Sequence, residues 1–298
     1  MANLLSIGRR TSNWLVIISL SVIFYIFGKV LPSFKQGFFC DDESIKKPYV
    51  SQETIPFSVL LLVSTFLIVF VVCLIDFINF IYWKKKNATC EDVIETTLCC
   101  FKISNWISRL IKRLWLILCG ALIVNIITNI GKVMVGRLRP HFLTVCQPDY
   151  SKFNCSSGYI TSDVCTGDIK KIIEARKSFP SGHSSYAIFV AVLLSLYIEY
   201  VIVTSQIYLL KPFAQLTLIC LGLACSFTRI SDYFHHWSDV LAGLIIGTLL
   251  AYYTVFYLMN LPHEEKMVRN ARINSANDYH DLEIGSLKNS SSNFQSDE

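Results

Sequence analysis

Six stretches of apolar residues, at about 14–31, 57–83, 114–134, 184–204, 213–227 and 238–259, constrain this chain more than any other feature. Most approach or exceed the roughly 20 residues that a helix needs to cross a hydrocarbon core. The chain as a whole agrees: 53% of its 298 residues are hydrophobic, 16% are charged and the mean hydropathy is +0.46. A soluble domain is rarely so apolar. The fifth stretch is the shortest, and it spans only if its helix continues through Thr228 and Arg229. The first follows Arg9 and Arg10 as a secretory signal would, but it lacks a small-residue cleavage site and reads as an anchor. No fixed-period repeat is visible. The expected fold is an all-α integral membrane protein: a cytosolic N-terminus (1–13), one six-helix bundle (14–260) and a tail (261–298). The tail is rich in Ser, Asn, Asp and Glu, too polar to fold alone, and is expected to be disordered in the cytosol.

Lys84, Lys85 and Lys86 after the second stretch, with Arg109, Lys112 and Arg113 before the third, mark that loop as cytosolic. Both termini then share its side. Lys152, Lys170, Lys171, Arg176 and Lys177 in the loop after the third stretch blunt the rule. Four cysteines, Cys40, Cys146, Cys155 and Cys165, fall in the two longer loops assigned to the outside, where they can form two disulfides in any of three pairings. Asn154-Cys155-Ser156 is a glycosylation sequon on that side, whereas Asn87 and Asn289 carry the same pattern on the cytosolic side and are expected to stay bare. Cys99 and Cys100 suit palmitoylation or are inert thiols. Asp76, late in the second stretch, reads as interfacial.

Residues able to do chemistry gather at 132–140, 180–183 and 229–239. Counting helices places all three groups at the same, outer face, and ionisable clusters there mark a functional site because charge beside lipid must be paired or hydrated. Lys132 and Arg139 share a face if their helix persists to Pro140; alone, they could simply snorkel to head groups. Pro180-Ser181-Gly182-His183 opens the fourth helix. Ser181 or Ser184 can cap it, and a hydroxyl, a glycine and free N–H groups at a helix start suit a phosphate oxygen. A capped helix with an interfacial histidine is the plainer reading of that segment. His235 and Asp239 stand four residues apart, facing each other if the sixth helix begins before them. A carboxylate bonded to one ring nitrogen would then leave the other free to attack. His236 points elsewhere, and Trp237 reads as an interface anchor. Metal ligation by His183, His235, His236, Asp232 and Asp239 ranks low, because Lys132, Arg139 and Arg229 already supply neutralising charge.

Taken together, Lys132 with Arg139-Pro140 six residues on, Pro180-Ser181-Gly182-His183, and Arg229, His235 and Asp239 at their spacing resemble the three-part signature of the type 2 phosphatidic acid phosphatase superfamily. Gly136-Arg-Leu-Arg-Pro-His-Phe142, Phe39-Cys-Asp-Asp-Glu-Ser44 and His235-His-Trp-Ser-Asp-Val240 look most like the animal lipid phosphate phosphohydrolases. Thr228 stands where the third motif usually has serine, and a hydroxyl is retained.

The resemblance implies a phosphatase for lipid phosphate monoesters such as phosphatidic acid, lysophosphatidic acid, ceramide 1-phosphate and sphingosine 1-phosphate, needing neither metal nor cofactor. Lys132, Arg139, Arg229, Ser181 and Gly182 would hold the phosphate. His235 would attack phosphorus, His183 would serve as acid and then base, and Asp239 would orient His235. Expected partners are lipid phosphates and membrane lipids, not nucleic acid, with homo-oligomers left open. The expected location is the plasma membrane with the site outside, attenuating lipid signals, or the ER or Golgi lumen. Rival readings are a polyprenyl diphosphate phosphatase and a catalytically silent protein that binds lipid phosphates.

Overall fold

The computed structural model describes residues 15–85, 96–98, 101–103, 105–202, 209–263 and 266. Met1–Met259 is one compact unit and Asn260–Glu298 a second. Most of the expected tail, together with Asn87, Cys99, Cys100 and Asn289, lies outside the described residues. Each apolar stretch is helical. Helix α1 (residues 15–25) passes into a π-turn at Ile26–Val30. It is followed by α2 (Phe57–Lys85), α3 (Asn105–Val135), α6 (Gly182–Val201), α7 (Leu210–Ser231) and α8 (Trp237–Tyr253), the last extended by a π-turn at Thr254–Leu258. Two short helices, α4 (Phe142–Cys146) and α5 (Ile169–Ala175), lie between α3 and α6. The described strands are a three-residue pair, Thr96–Leu98 against Phe101–Ile103.

Among the described residues, five helices are long and apolar enough to cross a membrane. The first of the six expected spans is described only from residue 15, as a shorter apolar helix at Leu15–Gly28. The doubtful fifth stretch, by contrast, does run on through Thr228 and Arg229 as α7.

Helix α6 is the axis of the bundle. In its most apolar window 72% of residues are buried, against 22–33% in the other four spans, whose outward faces are left for lipid. It packs on α7 and α8 and, less extensively, on α2 and α3. Close approach of α8 needs small residues. A Cβ on Gly247 would lie 2.2 Å from the Ser185 carbonyl oxygen, and one on Gly243 2.7 Å from that of Ser181. At the opposite end from the clusters, Asp76 is buried within the bundle: it accepts from Arg113 of α3 and, at 2.7 Å, from the Tyr197 hydroxyl of α6. A carboxylate inside an apolar bundle persists only with such partners.

The segments 31–56 and 136–181 form a cap over one end of the bundle. Its apolar centre includes Phe38, Ile45, Leu138, Phe142, Ile160 and Ile172. Phe38 and Ile160 exchange backbone hydrogen bonds of 3.0 and 2.9 Å. Disulfides join Cys40 to Cys155 and Cys146 to Cys165, selecting one of the three pairings open from sequence. Asn154 is exposed beside the first of these, its side chain accepting from the Ser156 N–H at 2.9 Å.

Candidate active site

All three clusters open onto one cleft of about 510 Å³ between cap and bundle. Lys132, Arg139, Gly182, His183, Arg229 and His235 line it. Each arrives by a different local device. Lys132 rides the last turn of α3. That helix stops at Val135 because Gly136 takes φ +61°, where a Cβ would stand 2.0 Å from the Phe34 carbonyl oxygen. Arg139 is therefore not held by a persisting helix. A segment outside any helix carries it, anchored where its N–H donates 2.8 Å to the Ala175 carbonyl. Its guanidinium packs 5.4 Å from the Phe234 ring centre and 3.7 Å from Glu174, and its Nε is buried without a hydrogen-bond partner among the described residues. A tetrahedral oxyanion in the cleft would suit that donor.

Ser181 does not reach the cleft. It is fully buried as the N-cap of α6, where it accepts from the Ser184 hydroxyl at 2.9 Å and the Ser184 N–H at 3.4 Å. The cap presents the next residue instead: a Cβ on Gly182 would lie 3.2 Å from the Lys132 ammonium. His183, one step along, directs Nε2 to the Ile55 carbonyl at 3.1 Å and lies 3.7 Å from Glu53.

Arg229 closes the far wall. Its guanidinium is completely buried, donating 2.9 Å to Glu53 and 2.9 Å to Asp232. The Thr228 hydroxyl donates to the Cys225 carbonyl at 2.7 Å and accepts from Arg229 at 3.1 and 3.2 Å. Threonine therefore does here what a serine hydroxyl can do. Asp232 also takes the Thr54 N–H and hydroxyl, at 3.0 and 2.7 Å, tying the cap's first segment to the end of α7.

His235 lies in the turn before α8, which begins at Trp237, so the pair with Asp239 is not made along one helix. Nδ1 donates 2.7 Å to the Ser178 carbonyl, and Asp239 stands 3.9 Å away. A carbonyl can only accept, so Nδ1 carries the proton and Nε2 keeps its lone pair. Asp239 acts one bond further out than expected. It accepts from the Ser178 hydroxyl at 2.6 Å, from Arg137 at 2.5 Å and from the His236 N–H at 3.0 Å. The carboxylate thus braces the peptide that orients the imidazole. Burial pushes His235 down to about 4, with Asp239 pulling the other way and Arg139 and Lys132 adding to the lowering. His236 donates Nε2 to the Leu138 carbonyl at 3.1 Å and does not line the cleft.

Sequence reasoning missed Glu53, His141, Glu174 and Ser178. Helix counting would have placed Glu53, just before α2, at the clustered end; its role needed Arg229 and His183 to be adjacent. His141 sits inside a quoted motif, yet only its bond of 2.9 Å to the Tyr233 carbonyl shows its part in fixing the turn that carries His235. Glu174 tempers the cationic wall: burial raises its pKa, but Lys177 and Arg139 outweigh that and hold it below the usual carboxylate value. Among the described residues no three His, Cys, Asp or Glu side chains gather as a metal cage.

Comparison with known proteins follows the same lines. Residues 113–262 match the PAP2 superfamily. Phospholipid phosphatase 1 of Rattus norvegicus is 40% identical over 76% of this chain and 76% of its own length. Phospholipid phosphatase 2 of the same species is 35% identical over 82% and 83%, and that of Homo sapiens 36% over 80% and 78%. No solved structure matches.

Proposed function

Because this chain belongs to the PAP2 superfamily, we propose that it hydrolyses lipid phosphate monoesters through a phosphohistidine on His235. It is a lipid phosphatase embedded in a membrane by several helices. The observation that carries the finer reading is the cleft itself, where three cations, a helix N-terminus and the imidazoles of His183 and His235 meet. Phosphoryl transfer asks chiefly for positioning and charge neutralisation. Lys132, Arg139 and Arg229 supply the charge, and the N–H groups at the start of α6 add donors. Ser181 contributes by capping that helix.

In the first step the His235 Nε2 lone pair attacks phosphorus and the bond to the lipid oxygen breaks. His183, protonated on both ring nitrogens, gives one proton to the departing alkoxide. Its other N–H is held by the Ile55 carbonyl, with Glu53 3.7 Å away. In the second step His183 takes a proton from water, the water oxygen bonds to phosphorus and the N–P bond breaks, releasing inorganic phosphate. Asp239, through Ser178, keeps His235 aligned in both.

Two disulfides in the cap support an oxidising side for the site, outside the cell or in a lumen. Glycosylation of exposed Asn154 belongs to the same reading. Phosphatidic acid, lysophosphatidic acid, ceramide 1-phosphate and sphingosine 1-phosphate are the substrates it implies. The test is phosphate release from lysophosphatidic acid by the full chain in detergent micelles with excess chelator. Release that continues under chelation, with acid-labile phosphate trapped on the protein and lost in His235→Ala, supports the reading. Release that stops with chelation, or survives that substitution, overturns it.

A further inference from the structure

The cleft does not end at the cationic wall. It continues along α3 into the span, where Thr128, Asn129 and Asn125 line it below Lys132. These residues lie three to seven positions before Lys132, on one helical face, roughly 4.5 to 10.5 Å down the axis. Phe24 of α1 lines the same space, whereas Phe57 at the start of α2 lines the cleft beside His183, 5.2 Å from ring centre to ring centre. Thr128 is satisfied within the bundle by the Val124 carbonyl and the Ser185 hydroxyl. Asn129 makes no hydrogen bond within the described residues, and Asn125 spends only its Nδ2, on the Ala121 carbonyl at 2.9 Å. Carboxamides left open inside a membrane-spanning helix are costly unless something polar meets them.

From the mouth inward the cleft therefore runs from cationic to neutral with both donors and acceptors, with Phe24 as an apolar wall beyond the cationic end. A phosphorylated amphiphile has the same order: anion, hydrogen-bonding linker, hydrocarbon. We infer that Asn129, with Asn125 behind it, forms a subsite for the linker of the lipid, the ester, hydroxyl or amine groups between the phosphate and the first methylenes. This inference rests on the proposed lipid phosphatase reading. It makes Asn129 a specificity-determining residue favouring glycerol- or sphingoid-based phosphates over phosphates of a bare hydrocarbon chain. The competing role for such residues in membranes is helix association, and Asn129 does lie near α1: a Cβ on Gly28 would stand 3.5 Å from its Nδ2.

A ratio separates the two. The full chain in detergent micelles is assayed on lysophosphatidic acid and on an alkyl monophosphate of matched chain length, for wild type, Asn129→Leu and the milder Asn129→Ala. A folding or helix-packing defect lowers both rates and leaves their ratio alone. The subsite predicts that kcat/KM for lysophosphatidic acid relative to the alkyl phosphate falls by roughly three- to ten-fold, the worth of one neutral hydrogen bond. Asn125→Ala should change the ratio less. An unchanged or increased ratio in both Asn129 variants overturns the inference. Wild type that hydrolyses neither compound refutes the phosphatase reading instead. The subsite is then judged by thermal stabilisation of wild type and Asn129→Ala with the two lipids, where loss of the preference for lysophosphatidic acid upholds it and an equal response rejects it.

Discussion

The bundle and its cap are built for different solvents, and the site is made where they meet. In the bundle the apolar surface faces lipid, and only α6 is mostly buried. The driving force is burial in a membrane, and polar residues such as Asp76, Arg113 and Tyr197 are tolerated because they bond to one another. The cap faces water with a small core and two disulfides, as secreted domains of similar size do. Bundle ends deliver Lys132, His183, Arg229 and Asp239. The cap delivers Arg139, His141, Glu174 and Ser178, and its first segment brings Glu53. The imidazole of His235, the proposed nucleophile, is thus aligned by a peptide from the cap, while the charges around it come from both layers.

This division can be broken most severely at the turn where the two layers join. His235→Ala should reduce turnover by about 10³-fold or more while leaving expression and the disulfides intact, read by phosphate release and non-reducing electrophoresis. Arg139→Lys comes next. Lysine keeps the charge but offers no planar fork of donors, so kcat should fall by about 10²- to 10³-fold, equivalent to about 2.7–4 kcal/mol, with Arg229→Lys as the comparison from the bundle side.

Disulfide removal sharpens the contrast without touching the chemistry directly. Cys40 and Cys155 are 115 residues apart, Cys146 and Cys165 only 19. Closing loops of roughly those lengths stabilises by about 4.7 and about 3 kcal/mol. Replacing the first pair with alanine should therefore lower the thermal unfolding midpoint and the activity more than replacing the second. Helical circular dichroism should survive both, because the bundle owes its helices to the membrane. Loss of helicity in either variant would show that the cap and bundle fold as one.

The smallest effect expected is with pH. Burial holds His141 down to about 4, helped by Arg139 and opposed by the Tyr233 carbonyl, and His235 is held near 4 for similar reasons. The unfolded chain takes up those protons near 6.5, the folded chain only near 4. Between these values the unfolded state binds more protons, so stability falls as the pH drops from about 6.5 to about 4 and is fully present above that window. His141→Gln keeps a donor for Tyr233 and removes one titrating group. It should flatten the acid side of a plot of melting temperature against pH, and an unaltered slope would count against His141 as a contributor.

Much of this was legible in the residues alone. Apolar length identifies membrane helices because lipid forces every backbone group to be satisfied locally, and counting those helices brings 132–140, 180–183 and 229–239 to one end without any tertiary knowledge. Local order also offers Ser181 or Ser184 as the cap of α6, whereas the stop of α3 falls at Gly136, against Phe34, and not at Pro140. Contacts between distant segments are another matter, because they depend on packing rather than on periodicity. Only the folded chain pairs Cys40 with Cys155, puts Glu53 against Arg229, leaves Arg139 to a segment outside any helix and inserts Ser178, by its carbonyl and its hydroxyl, between His235 and the carboxylate expected to touch it. Sequence determines which groups reach the membrane surface; the meeting of two separately stabilised layers decides which of them touch.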